Sequence, residues 1–239
     1  MNHFLGEFVG TALMMILGNG VVANVLLHQT KGHGSGWIVI TFGWAIAVFT
    51  GVYSSTAIGG GGHLNPAVSL ALAAFSDFDN SLLLTYIGGQ FAGAFIGAVV
   101  VWLTYKKHFD ATIGNADAIR AVFCTAPAIR HPLYNFITEA IATFILVLGA
   151  LLMSKPSASL GTLDALPVAL LVLGIGLSLG GPTGYALNPA RDLGPRIIHS
   201  ILPIKNKGKS DWGYSWIPVI GPVLGGLLAA FIFKTSIHL

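Results

Sequence analysis

Asn-Pro-Ala occurs twice in this chain, as Asn65-Pro66-Ala67 and Asn188-Pro189-Ala190, each time directly after a glycine-bearing stretch. Asn is a strong helix N-cap, and Pro is favoured at the first helical position because its missing N–H would have no partner there anyway. Each triplet therefore marks the start of a helix. The apolar run from Asn65 to Phe75 is short, and the helix begun by the second triplet runs from Asn188 to about Ser200, with similar reach. At about 1.5 Å per residue, ten residues cover about 15 Å, half of a hydrocarbon core about 30 Å thick. Helices of half a membrane's length make sense only inside a protein that surrounds them.

The rest of the chain supplies that setting. Of 239 residues, 54% are hydrophobic and 9% charged, where a soluble domain carries about 25% charged residues. Six stretches are long and apolar enough to span a bilayer: roughly 4–27, 37–57, 82–105, 134–154, 165–181 and 214–234. The first begins almost at the N-terminus without a basic flank or cleavage pattern, so it reads as a retained span. One cysteine excludes an intrachain disulfide. A net charge of +3 without a long basic run gives no reason to expect nucleic acid.

The two halves echo each other. Glu7-x-x-x-Thr11 returns as Glu139-x-x-x-Thr143, and Gly89 and Gly93 return as Gly221 and Gly225, all 132 residues on. Each half has three full spans, an odd number, so the second half is inverted relative to the first. Such a plan places a site near the midplane, between the halves. The expected fold is all-α: six transmembrane helices plus two half-helices in an inverted repeat, one domain over 1–239 with repeats at roughly 1–108 and 130–239. The glycine spacing itself reads as close helix packing.

The chemistry of such a midplane follows from the parts. The side-chain oxygen of Asn65 or Asn188 caps its own helix, which leaves the amide NH₂ as a donor toward a lumen. The loops before them, Gly59 to Leu64 and Gly180 to Leu187, carry non-helical backbone, tolerated at this depth where it lines a cavity or is buried in protein. Carbonyls of Gly61, Gly62, His63, Gly184 and Ala186 are the candidate acceptors. Two positive helix ends repel cations and oppose a proton-conducting water chain. The parts describe a pore for small neutral solutes.

With His63-Leu64-Asn65-Pro66-Ala67 and Asn188-Pro189-Ala190-Arg191 in place, the chain resembles the aquaporin family, the major intrinsic proteins, along essentially its whole length. The resemblance implies one pore per monomer, a homotetramer and cytoplasmic termini. It places Arg191 at the narrowest point near the outer mouth, with one residue each from span two, span five and the second loop. Counting back from Asn188 gives Tyr185 for the loop and Gly176 for span five. Gly176 stands where water-selective members usually carry His, and Tyr185 fills the space with an aromatic wall. For span two, Phe42-Gly43-Trp44-Ala45 resembles the family's aromatic-Gly-x-small segment and makes Phe42 the expected residue; an ungapped count falls near Trp44 and Ala45, with Trp44 the alternative. Asp192 after Arg191 and Pro218 in span six resemble the glycerol-conducting branch.

The implied function is passive conduction of glycerol and other small uncharged solutes, with water, through a multi-pass protein of a plasma membrane, bacterial by its lack of a targeting segment. Hydrogen peroxide and undissociated lactic acid are further candidate solutes. The alternatives are a mainly water-selective pore and an ion-coupled transporter, the latter because Glu7 and Glu139 are intramembrane acids. The family uses such glutamates to support the loops, which is the role expected here. Lys205, Lys207 and Lys209 read as solvated. No nucleophile–base pair or ligand spacing indicates catalysis, a metal or a cofactor. Lys31, Lys106, Lys107, Arg120, Arg130, Lys205, Lys207 and Lys209 fall outside under the family orientation, the opposite of what the charge bias of cytoplasmic loops would give.

Overall fold

A computed structural model describes residues 2–76, 78–153 and 158–237. In chain order the α-helices are α1 (His3–Leu26), α2 (Trp37–Ile58), α3 (Pro66–Phe75), α4 (Leu83–Thr104), α5 (Lys106–Ala111), α6 (Ala116–Phe123), α7 (Pro132–Leu152), α8 (Leu166–Leu179), α9 (Pro189–Ile201) and α10 (Ile217–Ile232). Among the described residues, six helices are long and apolar enough to cross a membrane: α1, α2, α4, α7, α8 with the turn before it, and α10. In lipid each backbone polar group must be satisfied within its own segment, and a helix does this. α3 and α9 are the two half-length helices, begun by Asn65 and Asn188 with Pro in the first turn. The sequence reading did not anticipate α5 and α6, two short helices in the connection between the halves. α6 is amphipathic, burying Ile119, Val122 and Phe123.

The burial pattern is that of a membrane protein. Leu84 is 81% exposed, and Ile38, Ile46, Leu103, Leu170 and Leu228 are exposed too. Meanwhile Glu7, Thr11, Gln90, Glu139, Thr143, Asp192 and Arg196 are fully buried. Apolar side chains face outward because the surroundings are apolar, and polar groups turn inward where partners exist.

Matching helices pack in matching ways. α4 lies along α1, and α10 along α7. A Cβ on Gly93 would strike the backbone carbonyl of Phe8, and one on Gly225 the carbonyl of Ala140, so glycine at these two positions permits near backbone-to-backbone contact. The halves then interlock. α4 lies against α9, and α10 against α3, so each half's third span flanks the other half's short helix.

Candidate conduction pathway

The two loops reach their midplane positions by the same backbone device. Leu64 has φ 53° and Leu187 φ 57°, with Gly62 at 68° and Tyr185 at 38°. The left-handed region costs a non-glycine residue about 1–2 kcal/mol, so something must hold these loops. The two intramembrane glutamates do. Glu7 accepts the backbone N–H groups of His63 (3.1 Å) and Leu64 (2.7 Å). Glu139 accepts those of Ala186 and Leu187, each at 3.0 Å. Glu7 has further donors in Ser55 Oγ (3.2 Å) and Gln90 Nε2 (2.8 Å). With successive N–H groups turned toward a carboxylate, the carbonyls are left to the other side. Among the described residues those of Gly62, His63, Tyr185 and Ala186 take no hydrogen bond from protein.

The capping asparagines do more than cap. Asn65 Oδ1 accepts from Ala67 N–H (2.9 Å), and Asn188 Oδ1 from Ala190 N–H (2.9 Å) and Arg191 N–H (3.2 Å). Their amide nitrogens cross over: Asn65 Nδ2 donates to the Leu187 carbonyl (2.8 Å) and Asn188 Nδ2 to the Leu64 carbonyl (2.7 Å). The reading that left both amide groups free is corrected here. One hydrogen of each NH₂ ties the loops together, which leaves the other hydrogen of each for the lumen.

Around this junction runs a cavity of about 180 Å³. Its wall holds Gly62, His63, Leu64 and Asn65 of the first loop, Tyr185, Ala186, Leu187, Asn188 and Arg191 of the second, and Trp44 of α2. Val48, Val52, Val68, Leu146 and Val172 complete an apolar side. Pro66, Ala67, Pro189 and Ala190 are buried as the first helical turns rather than wall. Gly61 and Gly184 also stand back from it. Gly61 packs against the Tyr86 hydroxyl, and Gly184 donates its N–H to the Gly180 carbonyl at 2.8 Å. The carbonyls of Gly61 and Gly184, like those of Gly62, His63, Tyr185 and Ala186, take no hydrogen bond from protein among the described residues.

The constriction residues fall as follows. Trp44 is 4% exposed and lines the cavity, with the Arg191 guanidinium 4.2 Å from its ring centroid. Phe42 is 51% exposed on the outside of α2 and does not line it. Phe42 as the span-two residue is therefore corrected to Trp44. Two positions along a helix are about 200° apart, so the two aromatics face opposite ways. Gly176 is not itself wall; the Tyr185 ring lies over it, and the Gly176 carbonyl accepts from Trp37 Nε1 at 3.0 Å. Trp37 meets Tyr185 edge-on at 5.7 Å. The Tyr185 hydroxyl and Trp44 Nε1 are buried without a protein partner, and none of the Arg191 side-chain N–H groups is bonded to protein among the described residues. Three polar groups without protein partners are thus borne by residues of one constriction.

Asp192 and Pro218 do not reach the cavity. Asp192 is fully buried and accepts from Thr125 N–H and Oγ (each 2.7 Å) and from Arg196 Nε (2.9 Å). Arg196, also fully buried, donates on to the carbonyls of Thr125 (2.9 Å) and Ser210 (2.7 Å). Sequence reasoning missed Arg196, Thr125, Ser55 and Gln90. The i, i+4 spacing of Asp192 and Arg196 was a signal for one pair; nothing local marks the others. Lys207 is corrected from solvated: its ammonium donates to the carbonyls of His199 (2.6 Å), Ser200 (2.8 Å) and Leu202 (2.6 Å), closing the C-terminal end of α9.

Six spans around two half-helices, with a cavity past their joined N-termini, define a membrane channel rather than an enzyme. The Major intrinsic protein family profile matches residues 1–233, and the chain belongs to that family. It is 53% identical over 236 residues to the glycerol uptake facilitator protein of Streptococcus pneumoniae strain R6, covering 98% of this chain and 99% of that one. It is 51% identical over 232 residues to glycerol uptake facilitator protein 3 of Lactiplantibacillus plantarum, covering 97% and 95%. The X-ray structure of the aquaglyceroporin from Plasmodium falciparum superposes with TM-score 0.85 at 33% identity, covering 99% of this chain and 96% of that one. Six apolar helices and these bacterial relatives make it a multi-pass protein of the bacterial plasma membrane.

Proposed function

We propose that the chain is a passive channel for glycerol and other small uncharged solutes, together with water, that excludes ions and protons. The observation that carries this is the constriction: an aromatic wall of Trp44 and Tyr185 beside a guanidinium with free donors. A polyol has a carbon edge that suits the aromatic surface and hydroxyls that suit Arg191 and the carbonyls of Gly62, His63, Tyr185 and Ala186. The relatives named glycerol uptake facilitators support the same solute. Cations meet Arg191 and then the positive ends of α3 and α9, each equivalent to about half a charge. The cross-bonded asparagines interrupt the hydrogen-bonded water chain a proton would need. Glu7 and Glu139 are engaged by loop N–H groups, which supports a part in holding the path over one in ion coupling.

We further propose one domain over 1–239, a homotetramer with one pore per chain, and cytoplasmic termini, with Arg191 toward the outer mouth; these follow the family resemblance. Proteoliposomes carrying the protein, mixed in a stopped-flow instrument with an impermeant osmolyte and then with glycerol, test the function. Fast shrinkage followed by rapid glycerol re-swelling, independent of ion gradients, is expected. Shrinkage without re-swelling would make it a water channel.

A further inference from the structure

The connections 105–131 and 202–216 lie on one face, and between them is a second, open cavity of about 570 Å³, separate from the conduction path. Its wall includes Arg120, Arg130, Lys207 and Lys209, and a single acid, Asp211. Four cations against one carboxylate in one concavity focus a positive potential into it.

The charges are held in place, and two acids offset only part of them. Lys207 engages three carbonyls at the end of α9, which fixes its position and leaves its charge. Arg120 touches Asp117 through Nη2 at 2.8 Å, but the Asp117 side chain is 83% exposed, and such a pair is weak in water. Arg120 Nε has no hydrogen-bond partner among the described residues, an unusual condition for a buried donor. Arg130 pairs with Asp211, so the one acid of the wall is already taken. Lys209 is exposed and makes no ion pair among the described residues.

We propose that this cavity binds an oxyanion of the phosphate class. Two guanidiniums suit the several oxygens of a phosphate, and two ammoniums add charge without demanding one geometry. Trp212 at the rim and Trp216 beyond it are both exposed, as aromatic side chains are at headgroup level. The phosphate therefore arrives either free in solution or as the headgroup of an anionic lipid. An occupant bears on the pore: Ser210 and Asp211 give their carbonyls to Arg196, Arg196 holds Asp192, and Asp192 adjoins Arg191.

The test compares thermal unfolding of the intact protein with an Arg120→Ala/Lys209→Ala variant. In detergent, sodium phosphate is titrated against sodium chloride at matched ionic strength. In nanodiscs, phosphatidylglycerol is compared with phosphatidylcholine. Saturable stabilisation by phosphate beyond chloride, with the half-saturating concentration raised tenfold or more in the variant, establishes a free-anion site. Stabilisation by phosphatidylglycerol alone, lost in the variant, establishes a headgroup site. Equal responses to phosphate and chloride together with equal responses in the two lipids, or responses the variant does not change, overturn the proposal. Neither residue lines the conduction path, and a cooperative unfolding transition in chloride like that of the intact protein shows the variant is folded. Should it misfold, Lys209→Glu alone, at an exposed position, repeats the comparison. The outcome is independent of whether the pore conducts glycerol.

Discussion

Adding a single methyl at Gly176 is the most direct test of the constriction. A Cβ there would lie 3.0 Å from Tyr185 Cζ, 3.2 Å from its Cε2 and 3.1 Å from Thr41 Cγ2. Carbon atoms at rest sit about 3.5–4.0 Å apart, so the methyl overlaps neighbours on two sides. Thr41 is fully buried and tied to the Ile38 carbonyl at 2.9 Å. The Tyr185 ring also lies close over Gly180 and meets Trp37 edge-on. The side left open to it is the cavity, toward Trp44 and Arg191. Overpacking of this kind costs about 1–3 kcal/mol, and each 1.4 kcal/mol or so that reappears as a barrier slows passage about tenfold. Gly176→Ala is therefore expected to cut glycerol permeability about tenfold and water permeability less, because water is the smaller solute. Gly176→His extends the same change and should leave water flux while abolishing glycerol flux. Stopped-flow light scattering at matched protein incorporation reads both solutes. Unchanged glycerol permeability in Gly176→Ala would show that the Tyr185 ring does not form the constriction.

Trp44→Ala should open the constriction and admit polyols longer than glycerol, whereas Phe42→Ala should leave selectivity as it is; a four-carbon polyol in the same assay separates them. Tyr185→Phe removes a hydroxyl that protein does not satisfy, so stability should hold while the glycerol-to-water permeability ratio changes. Glu139→Gln turns an NH₂ toward one of two backbone N–H groups, which should destabilise the loop by about 1–3 kcal/mol and lower flux; an unshifted unfolding transition would count against that support. Asp192→Ala strands the buried Arg196 guanidinium, and loss of about 3–5 kcal/mol is expected in thermal unfolding.

How much of this was readable from the sequence depended on the range of the interaction. The half-helices were legible because a cap acts within three residues: Asn, Pro and a short apolar run suffice. The matching positions of Glu7 and Glu139 were legible because the repeat put the same acid at the same place in two spans, whereas their contacts with loop N–H groups belong to the fold. Phe42 and Trp44 were not separable in this way. In a soluble helix the polar face betrays which side is out, but in lipid both sides of α2 are apolar, so periodicity carries no sign. Lys207 was misread for a related reason. A charge in a loop is solvated by default, and only the folding back of 202–207 onto the end of α9 brings three carbonyls within its reach.

The sequence by itself determined the number of spanning and half-length helices, the places where the two half-helices begin, and the inversion between halves, because each depends on local capping, on run length or on counting spans; α5 and α6, in the connection, were not among them. The tertiary structure alone decided which span-two aromatic faces the lumen and how the two loops are tied together. Asn65 reaches a carbonyl 122 residues away and Asn188 one 124 residues away, and Tyr185 takes its place because Gly176, on another element, leaves room for it. Those contacts are made across the halves, where the geometry belongs to the packed molecule and to no single stretch of chain.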